Sequence, residues 1–296
     1  GEEVRQSAWL ASVLALLCFI ALRHPDPFFA LTHVEPEVEI RVRAYLQALS
    51  WAVPAQLAFR IFYGFSSAVS KPRTIMVLNL AGLLVKVPLN YVFMYGWFGL
   101  PELGGTGCAV ASSLIAWGIV VAAWYWCYHD PAYARYKVFE RWSWPDVRRI
   151  GHLISLGLPI GLTFFIDVTA FTFMALFVAQ LGPLNSAAHQ IAGNFAAILY
   201  MLPMAVGNAA SVLAGQAIGA KDFARARATG ITGLLVAICA GLCVGTTVFF
   251  ASGNIAAIYS TDAKVIALAA SLLAVVSVYH VLDSIQAVSI NVLRGY

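Results

Sequence analysis

The chain has 296 residues, 61% hydrophobic and 11% charged, with a formal net charge of +4 and a mean hydropathy of +0.80. Soluble domains carry about 25% charged residues, so too few polar side chains remain here to coat a water-facing surface. The basic residues sit in short stretches between apolar runs, which excludes a nucleic-acid-binding face.

Eight apolar spans are predicted, at about residues 6–23, 41–69, 73–96, 107–128, 150–181, 186–218, 226–252 and 264–293. Several reach the ~20 residues that a helix needs to cross the hydrocarbon. A backbone in lipid must satisfy its own hydrogen bonds, and alternating segments of about ten residues are missing, so helices rather than a β-barrel are expected. Turns punctuate the gaps at Lys71-Pro72-Arg73, Pro101-Glu102-Leu103-Gly104-Gly105, Gly182-Pro183-Leu184-Asn185 and Gly219-Ala220-Lys221-Asp222. No signal peptide is expected at the start. The five cysteines, Cys18, Cys108, Cys127, Cys239 and Cys243, are odd in number, lie in apolar stretches and lack zinc spacing, so they read as packing residues.

Basic residues give the orientation. Arg5, Lys71, Arg73, Arg135, Lys137, Arg141, Arg148, Arg149, Lys221, Arg225, Arg227 and Arg294 fall on one side, against Arg23, Arg41, Arg43 and Lys264 on the other. The first side, richer in charge, is expected in the cytoplasm. Glu35 and Glu37 mark an acidic outer loop before the second span. Residues 129–149 read as a cytoplasmic linker between an N-terminal lobe at 1–128 and a C-terminal lobe at 150–296. The first and seventh spans each follow a basic lead and start on the same side, which makes the repeat parallel, with its axis along the membrane normal. Matching the first two spans to the last two leaves each lobe short of two helices. The expectation is therefore eight helices of a twelve-helix, all-α polytopic protein with two pseudo-symmetric six-helix lobes.

Two carboxylates lie inside spans, Asp167 near the middle of the fifth and Asp283 in the inner half of the eighth. An Asp at a helix centre costs about 2.5–3.5 kcal/mol on insertion scales and marks a functional centre unless a neighbouring helix satisfies it. Tyr279 and His280 share the helix face of Asp283, and a tyrosine ring can hold a cation beside the carboxylate. His280 by itself reads first as a hydrogen-bonded residue of a helix interface, and His189 and Asn194 read equally as interhelical hydrogen-bonding residues. Lys86 sits about ten residues from either end of the third span, too deep for simple snorkelling, whereas Arg60 is near enough to an end to snorkel. Together with Asn194, His189, His280 and Gln286, Lys86 is a candidate for the lining of a substrate cavity. Pro54, Pro88, Pro159 and Pro203 fall within spans, where each removes a backbone hydrogen bond and kinks or locally opens its helix.

These residues resemble those of the multidrug and toxic compound extrusion (MATE) transporters, in the NorM-type branch. The resemblance runs along the whole chain, as helices three to ten of twelve. In the first half it is carried by Val4-Arg5-Gln6, Lys71-Pro72, Pro88-Leu89-Asn90-Tyr91-Val92-Phe93 and Pro101-Glu102-Leu103-Gly104-Gly105-Thr106-Gly107. In the second it is carried by Leu156-Gly157-Leu158-Pro159-Ile160, Ala188-His189-Gln190-Ile191, Met201-Leu202-Pro203-Met204, Gly215-Gln216-Ala217-Ile218-Gly219 and Leu293-Arg294-Gly295-Tyr296. It implies two six-helix lobes around a central cavity and export of amphipathic, often cationic drugs by alternating access, driven by inward Na⁺ or H⁺. It implies no cofactor beyond that coupling ion, and a monomer in the bacterial inner membrane whose partners are small-molecule drugs, organic cations and the lipid bilayer. Asp167 and Asp283 fall at the branch's acidic cation-binding positions, and Tyr279 where a family aromatic lies near the cation. Asp167 departs from the usual Glu by one methylene, and Lys86 from a usual Asn. A second reading is a lipid-linked oligosaccharide or lipid flippase of the wider superfamily, which Lys86 and Arg60 favour and the two aspartates oppose. An embedded enzyme is disfavoured: no Ser elbow or HExxH accompanies His280 and Asp283.

Overall fold

The computed structural model describes residues 1–27, 29, 36–99, 101–134, 136, 138 and 143–296. Glu35, Arg135, Lys137 and Arg141, which enter the charge pattern above, lie outside the described residues. Ten α-helices are described: α1 (Glu2–Arg23), α2 (Pro36–Ser50), α3 (Ala52–Ala68), α4 (Pro72–Tyr95), α5 (Gly105–His129), α6 (Pro131–Ala134), α7 (Val147–Ala179), α8 (Pro183–Gly219), α9 (Phe223–Tyr259) and α10 (Ala263–Gly295). Seven of them, α1, α4, α5 and α7 to α10, are each long and apolar enough to cross a membrane.

The stretch expected as one span at 41–69 is two helices that meet at Trp51. Pro54 cannot donate to the carbonyl of Ser50, and the Ser50 hydroxyl turns back to the Gln47 carbonyl at 2.7 Å. Trp51 keeps right-handed helical angles (φ −68°, ψ −21°), so the chain continues in helical geometry across the break.

The chain forms two compact units, residues 1–158 and 159–296, and the boundary falls inside α7 between Leu158 and Pro159. In the first unit α5 packs against α2, α3 and α4, and α1 against α2 and α3. Its core gathers Phe62, Phe65, Ile75, Leu78, Ala123, Cys127 and Tyr133. The buried Tyr133 hydroxyl donates to Ser66 Oγ at 3.0 Å, so the ring fills the core without stranding its polar end. Gln6, fully buried at the start of α1, donates to the Trp144 carbonyl and accepts from the Asp146 amide, at 3.0 and 2.8 Å. Trp9 Nε1 donates to the Ser143 carbonyl at 3.0 Å. These bonds tie the segment that leads into α7 to α1.

The second unit is built on α8, α9 and α10, each packed against the other two. Lipid offers no hydrophobic drive between helices, so close contact depends on small residues. The packed face of α9 carries Gly230, Gly233, Ala237, Gly241 and Gly245, and a methyl on Gly245 would lie 2.7 Å from the Ser277 carbonyl of α10. On α8, Gly207 takes the Asn291 side chain and Ala210 and Ala214 are buried. Asp222 and Asp262 begin α9 and α10 by accepting from the amides of Arg225 and Lys264, at 2.9 and 2.8 Å. The same corner ends α3 and α8. Ser70 and Lys221 adopt left-handed angles (φ 61° and 60°), and the next amide returns to a carbonyl five residues back, Lys71 to Ser66 at 2.8 Å and Asp222 to Ala217 at 2.9 Å. This is a Schellman end.

Candidate functional site

Helix α10 presents two different faces over the same turns. Val265, Ala269, Leu273, Ser277, His280, Ser284, Ala287, Val288 and Val292 are buried at helical spacing and form the face packed on α8 and α9. Tyr279, Asp283 and Gln286 flank it, at four- and three-residue spacing, with Tyr279 and Gln286 exposed and Asp283 half-buried.

The Tyr279 hydroxyl and the Asp283 carboxylate face each other across one helical turn, and the His280 ring acts on the same carboxylate. Tyr200 on α8 interacts electrostatically with both Asp283 and Asp167. Tyr200 thus lies within electrostatic reach of both carboxylates, one on α7 and one on α10. Asp167 itself is exposed, on a helix with no buried residue along its length. Phe164, one turn before it, lies under the Arg294 guanidinium of α10 at 5.6 Å. Carboxylate and phenolic oxygens are a donor set that suits a hard cation. Among the described residues no three His, Cys, Asp or Glu side chains gather as a transition-metal site requires.

The other sequence candidates are dispersed. His280 is 2% exposed, and its Nε2 has no hydrogen-bond partner. It borders a narrow gap with Leu202, Pro203, Val206, Ala237 and Gly241, so it belongs to the packed face rather than to that of Asp283. Asn194 accepts from the Tyr259 hydroxyl at 3.3 Å and so joins α8 to α9. His189 is half-buried near the start of α8, about 16 Å along the helix from Tyr200. Lys86 is exposed in the first unit. That unit also holds a cleft of about 390 Å³ between α1, α3 and α5, lined by Ala8, Ser12, Phe19, Pro54, Ile61 and Trp124 among others. The cleft suits an apolar body and carries no charge.

Sequence reasoning missed Tyr200. Its signal was faint: one phenol in Ile198-Leu199-Tyr200-Met201, three residues before Pro203.

The MatE family model matches residues 1–92 and 159–296. The chain belongs to the MatE family. It is 34% identical over 294 residues to the multidrug resistance protein NorM of Aliivibrio fischeri, covering 99% of this chain and 64% of that protein. It is 36% identical over 296 residues to the probable multidrug resistance protein NorM of Aromatoleum aromaticum, covering 100% of this chain and 64% of the relative. The chain thus spans just under two thirds of the length of these relatives, and its place is in the NorM-type branch. Among solved structures it resembles a MATE in complex with MaD3S, with a TM-score of 0.88 at 16% identity over 99% of this chain and 64% of that one. It also resembles an outward-facing multidrug resistance MATE transporter, with a TM-score of 0.86 at 17% identity over the same shares of the two chains. These likenesses show the fold. Seven apolar helices and bacterial NorM relatives make this MatE member a multi-pass protein of the bacterial inner membrane.

Proposed function

We propose that this protein exports amphipathic, often cationic organic compounds in exchange for Na⁺ or H⁺ moving inward, with Asp283 and Asp167 as the groups that hold the coupling cation. The observation that carries the reading is that Tyr200 interacts electrostatically with both carboxylates, while Tyr279 interacts with Asp283 across one helical turn. A carboxylate in an apolar helix is stable when a cation or proton neutralises it. Taking up Na⁺ or H⁺ removes the negative charge that attracts a cationic substrate, and losing it restores that charge. Ion and substrate thus bind with opposing preference, which is the linkage that exchange requires. Tyr279 and Tyr200 offer hydroxyls to the ion and ring faces to an organic cation. Gln286, one turn beyond Asp283, adds an amide to the same flank, and the protein works as a monomer in the bilayer.

The experiment is dye efflux in proteoliposomes with a Na⁺ gradient and no pH gradient, and then the reverse. Asp283→Asn and Asp167→Asn should each abolish ion-dependent efflux while the protein still inserts into membranes. Efflux at the wild-type rate in both variants would overturn the assignment. A lipid-linked flippase would instead need cationic groups for phosphates, as Lys86 and Arg60 suggest. In the same vesicles it would move a lipid-linked sugar and ignore cationic dyes.

A further inference from the structure

The polar residues of α4 fall on one line. Between Thr74 and Tyr91 this helix contains three polar side chains, Asn79, Lys86 and Asn90. At seven- and four-residue spacing they lie within roughly 40° of each other around the helix and cover about 16 Å of its length. The packed side of α4 borders this line: Thr74, Ile75, Leu78 and Gly82 are buried, and Gly82, four residues before Lys86, sits directly on Ile119 of α5. Asn79 and Lys86 are exposed, as is every residue from 83 to 88. Asn90 is half-buried, and its buried Oδ1 has no hydrogen-bond partner.

Lys86 brings a full positive charge to mid-span. It stands nine residues before the end of α4, which is about 13 Å of helix, and its stem reaches about half that distance. No ion pair among the described residues includes it. A charge at this depth is stable only against a polar partner or a polar cavity.

We propose that the line Asn79, Lys86 and Asn90 on α4 is a subsite for the carboxylate of zwitterionic amphiphiles. The inference rests on the transport reading above and assigns it a second kind of recognition, in the first unit. The Lys86 ammonium and the Asn90 amide, one turn apart, offer ionic and neutral donors to one carboxylate. Asn79, two turns away, continues the polar line along which the charged group keeps hydrogen-bonding partners as it crosses the apolar region. Phospholipid phosphates lie at the bilayer surface, about 15 Å from the midplane, whereas Lys86 is deep in the span. Depth and charge therefore both select a carboxylate carried in by a transported molecule.

The test uses the complete gene product in phosphatidylcholine proteoliposomes and two xanthene dyes, a cationic ethyl ester and its hydrolysed free acid, the zwitterion. Lys86→Asn should slow free-acid efflux about tenfold or more and leave ester efflux within about twofold. Lys86→Arg should keep both. Equal losses for the two dyes would make Lys86 half of an internal ion pair and overturn the proposal. So would an unchanged free-acid rate in Lys86→Asn, or a wild-type protein that exports the ester and rejects the acid. A dependence on Lys86 that emerged only on adding phosphatidylglycerol would assign the residue to lipid phosphate instead, and would equally overturn it. Failure of the wild type to export the ester is a separate result, which counts against the transport reading itself.

Discussion

At the corner between α5 and α6, Asp130 works outside the membrane span and its chemistry follows ordinary rules. Its Oδ1 accepts from the Ala132 amide at 2.9 Å and its Oδ2 pairs with Lys71 Nζ at 3.4 Å. The amide hydrogen bond, with help from Lys71, holds the Asp130 carboxyl below the usual carboxylate range against the opposing effect of burial. A depressed folded-state pKa stabilises the fold above the unfolded value, and the gain is lost as the pH falls through the folded one. Asp130→Asn should therefore melt below wild type near neutral pH, and the gap should close as the pH drops below about 4. Thermal melts in detergent across that range check this, and a gap that widened in acid would reverse the assignment. At this scale the sequence was only partly legible. Asp167 and Asp283 stood out because a carboxylate is costly in lipid, and Lys86 for the same reason. Tyr200 did not, because a tyrosine in an apolar run is ordinary until its neighbours are known. Asn194 shows the converse. Its polarity was visible, but its use, a bond to Tyr259, depends on how α8 meets α9.

Helices were the most legible level. An apolar run of 20 residues in lipid has one regular structure open to it, and the spans read from hydropathy lie within α1, α5, α8, α9 and α10, while α4 covers all but the last residue of its span and α7 all but the last two. The exception is 41–69, where Pro54 divides one predicted span into α2 and α3. Proline positions are readable, but whether one bends a helix or breaks it depends on what captures the freed carbonyl, here beside a Ser50 hydroxyl that has turned to Gln47. Packing was less visible still. The small residues of α9 look like generic composition until Gly245 is seen against the Ser277 carbonyl. Gly245→Ala should force α9 and α10 apart and destabilise the second unit by about 1–3 kcal/mol, as overpacking does. Gly253→Ala on the same helix meets nothing within 4 Å and gains helix propensity. Melting the two variants side by side separates contact from propensity. Equal melting temperatures would mean that α9 and α10 tolerate separation.

For the whole molecule, orientation can be argued unit by unit. In the first unit Val4 packs with the core cluster that contains Phe65 and Tyr133, so the start of α1 shares an end with the α3–α4 corner and with Asp130. Arg5, Lys71, Arg73, Arg148 and Arg149 belong to that end. At the far end of α1, Asp26 pairs with Arg43 at 2.7 Å, beside Arg23 and Arg41. In the second unit Gly295 lies on the Ser211 backbone, which puts Arg294 at the end of α8, with Lys221, Arg225 and Arg227, and leaves Lys264 at the opposite end. Each unit is therefore biased by its own basic residues. The bias survives the acids mixed among them, Glu2, Glu3, Asp130 and Asp146, because the rule counts Lys and Arg rather than net charge. In a cysteine-free background, Thr261→Cys should react with a membrane-impermeant maleimide on intact spheroplasts, and Ala220→Cys only after they are permeabilised. Both positions are exposed and flank α9 at opposite ends, so one helix carries both the test and its control. The reverse labelling pattern would place Lys221, Arg225, Arg227 and Arg294 outside. Under the exchange proposed above, the membrane potential would then act on Asp167 and Asp283 from the wrong side for inward cation entry to drive export.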